Sequence, residues 1–160
     1  MKTIILPGYS ISNKEWAEEV ASHIPNSAVH YWAHWQDGSF SPKKEVEKIL
    51  AEIGSDKINV LAKSVGTGIT NDLIAKIPDQ INKIVLCGVP QINKERYKNF
   101  ADLDAKKIIC FQNTNDPWAK YEEVRDFLAN INPKIKVISK EAPDHNYPYY
   151  SDFLAFLTKV

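Results

Sequence analysis

Six short apolar runs recur along the chain, and the segments between them carry apolar residues at helical spacing. The runs are Thr3–Leu6, Ala28–Trp32, Ile58–Ala62, Lys83–Gly88, Lys107–Gln112 and Lys134–Ser139. Most are rich in Ile and Val with little polar alternation, the pattern of strands covered on both faces. Between them, Ser12 and Glu15 have capping-box spacing ahead of Trp16, Val20 and Ile24. Ser41 and Pro42 suit an N-cap and first helical position ahead of Val46, Ile49 and Ile53. Ile69, Leu73 and Ile77 form a third periodic stretch that Pro78 stops. Asp116 and Pro117 predict the start of a fourth helix, with Tyr121, Val124 and Leu128 on one face, and a fifth runs from about Tyr149 to Lys159. Parallel strands joined by right-handed helical crossovers are the economical solution to this alternation. The expectation is a three-layer α/β/α sandwich on a mostly parallel sheet of about six strands.

With 160 residues and no linker-like composition shift, repeat or low-complexity segment, one domain over 1–160 is expected. Twenty basic residues face twenty acidic ones without a long block of either sign, which argues against nucleic acid or an anionic membrane as partner. The start MKTIILPGYS is too short in apolar residues for a signal peptide, and nothing approaches a membrane span, so a cytoplasmic protein is expected. Cys87 and Cys110 sit inside strand-like runs without metal-ligand or redox spacing, as reduced buried thiols would. No metal or other cofactor is expected.

Ligands of open parallel sheets bind at the carboxyl ends of the strands. Pro7, Gly8, Tyr9 and Ser10 follow the first run, Lys63, Ser64, Val65 and Gly66 the third, Asn113 to Asp116 the fifth, and Pro143 to Asn146, with His145, the sixth. A hydroxyl, a carboxylate and an imidazole are thus expected on one rim, in the chain order Ser, Asp, His. Taken alone, Ser64 also suits a helix N-cap, Asp116 the cap of the helix that Pro117 opens, and His145 a loop histidine packed on Tyr147 and Tyr149. Asp144 and Asp37 are lesser candidates for the carboxylate.

The segment AKSVG, residues 62–66, with the later Asp116 and His145, resembles the G-x-S-x-G nucleophile turn of the α/β-hydrolase superfamily. The resemblance spans essentially the whole chain, and length and layout are most similar to small capless serine hydrolases of the retinoblastoma-binding-protein type. It departs from the pattern at Ala62, where the motif has glycine, and at Lys63, where many relatives carry histidine. The resemblance implies a minimal α/β-hydrolase fold without a cap domain, with Ser64 as nucleophile, His145 as base and Asp116 as its orienting acid. It further implies an oxyanion hole made by the backbone N–H groups of Tyr9 and Val65. Gly8 would permit the turn that aims Tyr9.

Only residues 89–105 lie between the fourth and fifth runs, enough for a short helix, so an open site is expected. Gly8, Trp35, Trp118 and Tyr147 are the candidate pocket residues, with Tyr9, Trp32 and Phe40 as further aromatic walls. Aromatic walls without a basic cluster favour a small neutral acyl substrate, an ester, thioester or amide. The alternative is a binding module that keeps the fold with feeble catalysis, because fold does not determine function.

Overall fold

A computed structural model describes residues 1–160. Its strands are β1 (Lys2–Leu6), β2 (Ser27–Val29), β3 (Ile58–Lys63), β4 (Ile81–Cys87), β5 (Ile108–Asn113) and β6 (Lys136–Lys140). The helices are α1 (Asn13–His23), a single turn α2 (His34–Asp37), α3 (Pro42–Ile53), α4 (Val65–Lys76), α5 (Tyr121–Ile131) and α6 (Tyr150–Thr158). All six strands form one sheet in the order β2-β1-β3-β4-β5-β6, and every neighbouring pair is parallel. The expected sandwich is therefore present, with a wholly parallel sheet.

Alternation along each strand divides the core. Ile4, Leu6, Val60, Ala62, Ile84, Leu86 and Cys110 join a cluster that includes Ile49 and Ile53 of α3, Ile69 and Leu73 of α4 and Val124 and Leu128 of α5. Their sequence neighbours Ile5, Leu61, Val85, Cys87 and Phe111 face the other way, onto Trp16 and Val20 of α1 and Phe153 and Leu157 of α6. Successive strand side chains point to opposite faces, so a sheet with helices on both sides requires the near-continuous apolar runs found here. Both thiols are fully buried and unpaired.

The chain passes from β1 outward to β2 and then returns to β3 on the other flank of β1. That reversal is the switch point at which an open α/β sheet leaves a crevice. Leu6 and Ala62 are paired there, so the loop after β1 and the turn after β3 emerge side by side.

Several element ends differ from expectation. The second strand stops at Val29; His30 N–H still donates to Ile5 O at 2.9 Å while its imidazole meets Glu45, 2.6 Å away, and beyond it Tyr31 and Trp32 leave the sheet, which puts the Trp32 indole against the β1 loop. Ser41 caps α3 through Lys44 N–H as expected. Ser12 does not cap α1: it already has helical dihedrals, and its hydroxyl bonds that of Ser10 instead. Asp116 and Pro117 do not open a helix. α5 begins at Tyr121, where Glu123 accepts from the backbone N–H of Lys120, and Asp116 is left for other partners. The link from β4 to β5 contains three short 3-10 turns, Lys94–Arg96, Lys98–Asp102 and Ala105–Lys107, in place of a cap domain.

The turn from β3 into α4 brings backbone against backbone. A Cβ placed on Gly66 would lie 2.5 Å from the carbonyl oxygen of Leu6, whereas one on Gly68 would meet the Arg96 side chain at 3.0 Å. Main chain in a central strand cannot move aside, but an arginine side chain can. Gly66→Ala is therefore expected to lose about 1–3 kcal/mol in urea unfolding, and Gly68→Ala less than about 1 kcal/mol.

Candidate active site

Ser64 lies between β3 and α4 with φ 53° and ψ −121°, one of two non-glycine residues at positive φ. Such a conformation costs on the order of 1–3 kcal/mol and persists only where its surroundings enforce it. Here Ser64 N–H donates to Cys87 O at 3.0 Å, and Ser64 O accepts from the backbone and the hydroxyl of Thr67 at 2.9 and 2.6 Å. Because the Thr67 proton is committed to Ser64 O, the Tyr97 hydroxyl donates to Thr67 Oγ1, 2.7 Å away. Burial pushes the Tyr97 phenol up to about 12, so it remains a donor. The Ser64 side chain makes no capping bond to α4.

Asp116, 1 % exposed, collects three donors. Its Oδ1 accepts from Trp118 N–H at 2.9 Å, and its Oδ2 accepts from His145 Nδ1 and from the Tyr147 hydroxyl, both at 2.6 Å. Burial alone would raise this carboxyl's pKa, but the bonds from His145, Tyr147 and Trp118 hold it below the usual carboxylate range. The bond to Asp116 puts the Nδ1 proton of His145 to use, and the other nitrogen, Nε2, is buried with no partner in the chain. Gly88, at the end of β4 with φ +63°, makes room for this arrangement: a Cβ there would lie 2.7 Å from Tyr147 and 2.8 Å from the His145 ring. Asp144 does not reach the imidazole; its Oδ1 accepts from Asn146 N–H. Asp37 accepts from Ser39 N–H, in the loop that follows α2.

Ser64, Val65, His145, Tyr9 and Trp118 line one open cleft of about 1030 Å³ on the carboxyl rim of the sheet. Three of the four expected pocket residues, Tyr147, Trp35 and Gly8, are placed elsewhere. Tyr147 is fully buried behind His145, because its hydroxyl is drawn to Asp116 and also accepts from Asn113 N–H at 3.1 Å. Trp35 packs on the core and gives its indole N–H to Tyr9 O at 2.8 Å, a carbonyl that His34 Nε2 also contacts at 2.7 Å. Gly8 is not on the cleft surface either; it is seated against Asn13. Trp32, 1 % exposed, is likewise no wall: its indole donates to Gly8 O at 3.0 Å.

These three bonds orient the loop after β1. Carbonyl and N–H of a trans peptide point in opposite directions. Anchoring Gly8 O on Trp32 therefore turns the N–H of Tyr9 to the side away from the indole, where it makes no hydrogen bond within the chain. Val65 opens α4, and the first N–H groups of a helix have no partner inside it and carry partial positive charge. The cleft also receives Lys63, which the strand-end pattern placed beside Ser64 without a role, and Asn13, Trp16, Arg96 and Tyr97, which that pattern did not single out. Their only sequence signal is weak: Lys63 adjoins Ser64, and Arg96 and Tyr97 fall in the segment where larger folds insert a cap.

No protein-family model and no curated protein sequence matches the chain. Solved structures do. MGS-M2, an α/β-hydrolase enzyme from a Medee basin deep-sea metagenome library, superposes with TM-score 0.74 at 15 % identity, covering 99 % of this chain and 90 % of its own. Est1E from Butyrivibrio proteoclasticus gives 0.72 at 14 %, covering 98 % and 86 %. XC6422 from Xanthomonas campestris, an α/β serine hydrolase without a lid, gives 0.60 at 13 %, covering 97 % and 78 %. The chain has the α/β-hydrolase fold.

A carboxyl whose pKa is lowered by folding adds stability above its unfolded pKa of about 3.9, and that stability is lost as pH falls through the folded value. Removing one of the donors that lower it should act in the same window. Tyr147→Phe is expected to cost about 1.5–3 kcal/mol in urea unfolding at pH 7, the usual range for a hydrogen bond to a charged group. The difference from the wild type should shrink as pH falls through the lowered folded value of Asp116, because the protonated carboxyl no longer gains from the charged hydrogen bond.

Proposed function

We propose that the protein is a serine hydrolase, cleaving a small acyl ester, thioester or amide through an acyl-enzyme intermediate. One observation carries this reading: His145 is fixed by Asp116 through Nδ1, and its buried Nε2 is left without a partner on the cleft that the strained Ser64 turn also lines. An imidazole held in this way is a base with one free lone pair, and a serine denied its capping role is available as its partner.

In this mechanism Ser64 Oγ attacks the substrate carbonyl carbon as His145 Nε2 takes the hydroxyl proton. The negative charge that develops on the carbonyl oxygen is met by the N–H groups of Tyr9 and Val65, each worth roughly 3 kcal/mol in comparable sites. Collapse of the tetrahedral species breaks the bond to the leaving group, which receives the proton from His145. Water then attacks the acyl-Ser64 carbonyl, giving its proton to the same Nε2, and the acid departs as Ser64 is reprotonated. Asp116 stays ionised throughout and stabilises the imidazolium. No cofactor enters any step. The three 3-10 turns over residues 94–107 leave the cleft open, which suits small substrates met directly from solvent. No helix is long and apolar enough to cross a membrane, and the two unpaired buried thiols are compatible with the cytoplasm, where we place the enzyme.

Ser64→Ala is expected to abolish turnover of 4-nitrophenyl esters and to prevent labelling by a fluorophosphonate, while the wild type labels stoichiometrically. A folded wild type that neither labels nor turns over esters would overturn the reading in favour of a binding module. Asp116→Asn should lower kcat by two or more orders of magnitude, on the order of 3 kcal/mol in the barrier, and Asp144→Asn by less than about tenfold. The reverse ranking would displace Asp116 from the mechanism.

A further inference from the structure

The cleft is lined by two basic side chains, Lys63 and Arg96, and by no aspartate or glutamate, although the chain as a whole carries as many acids as bases. Sequence spacing gave no hint of this pairing, since the two are brought to the same cleft from the end of β3 and from the β4–β5 link. The guanidinium of Arg96 is already matched: Nη1 and Nη2 donate to Asp72 at 3.2–3.3 Å. Lys63 is not. It is 6 % exposed, forms no ion pair, and its ammonium makes one hydrogen bond, to the neutral Asn13 side chain at 2.9 Å, while lying 5.1 Å from the centre of the Trp16 ring. An ammonium has three donors, so two are left over.

A buried charge normally sits against an opposite charge, because removal from water is costly without one. Burial lowers the Lys63 pKa; the more distant carboxylates of Asp116 and Asp144 oppose that shift without cancelling it. Lys63 and Ser64 line the same cleft, so a group that meets the free donors of the ammonium is held in the cleft that Ser64 faces.

We propose that the natural substrate carries a carboxylate close to the scissile bond, and that Lys63 is the residue that recognises it. This inference rests on the serine-hydrolase reading and replaces the neutral acyl group expected from aromatic walls alone. The carboxylate belongs either to the acyl part or to the leaving group, and two matched pairs of esters separate these.

For the acyl part, 4-nitrophenyl hydrogen glutarate is compared with 4-nitrophenyl valerate; for the leaving group, 4-acetoxybenzoate is compared with its methyl ester. The wild type should favour the charged member of one pair at least tenfold in kcat/KM, Lys63→Met should bring that ratio to about one, and Lys63→Arg should retain a preference. Ratios near one for both pairs in the wild type overturn the proposal, while ester turnover and Ser64 labelling keep the hydrolase reading intact. A wild-type preference that survives in Lys63→Met overturns it as well. Should no ester be turned over and Ser64 resist labelling, the hydrolase reading falls separately, and calorimetric titration with glutarate and with benzoate decides the anion site. Binding of either that weakens at least tenfold in Lys63→Met supports the site, and equal or absent binding overturns it.

Discussion

The positive φ of Ser64 is the constraint on which the rest of the molecule depends. It reverses the chain between a central strand and a buried helix within one residue, and it is tolerated because hydrogen bonds close around both sides of the residue. The N–H is taken by β4, the carbonyl by Thr67, and Thr67 in turn by Tyr97 from the β4–β5 link. The same reversal drives α4 against β1, so closely that only a hydrogen atom fits between Gly66 and Leu6 O. Strand order, helix position and the exposure of one hydroxyl are therefore a single geometric solution.

Around this turn the polar groups are arranged from the far side of the sheet. Asp116 is saturated by three donors from two loops, and Tyr147 links it to the end of β5 through Asn113. Burial and the neighbouring carboxylate push the Tyr147 phenol well above its ordinary range, so it serves as a fixed donor and not as a titrating group. The imidazole is held between this network and the cleft with its Nδ1 side occupied.

What the sequence discloses follows the range over which each signal acts. The Ile- and Val-rich runs at β1, β3, β4 and β5, and the Ser41–Pro42 start of α3, are local patterns with local causes, and they appear where expected. The shared placement of Ser64, Asp116 and His145 is legible because each lies just beyond the carboxyl end of a strand, and those ends share one rim of the sheet. Signals with two possible uses were harder. Asp116 before a proline looks like a helix cap, but a cap four residues further on, at Lys120, relieved it of that duty. Ser12 and Glu15 have capping spacing, yet the Ser10 hydroxyl is nearer to Ser12. Aromatic residues are the least legible, since an indole or phenol near a strand end suits a pocket wall and a buried hydrogen-bond donor equally. Tyr147, Trp32 and Trp35 took the second role because carbonyl or carboxylate acceptors lay within reach. Contacts between distant segments, such as Lys63 with Asn13, leave no periodic trace at all.

The peptide between Gly8 and Tyr9 has its direction set by Trp32, and the carbonyl of Tyr9 is gripped by His34 and Trp35, all from a loop that contributes none of these three residues to the cleft surface. Holding a backbone group from behind separates two kinds of change that are usually entangled. Side chains facing the cleft are free to drift, while the bonds that fix this peptide stay out of their way. A lineage or a designer working on this domain therefore has a surface that can be rewritten residue by residue without recalibrating the backbone beneath it.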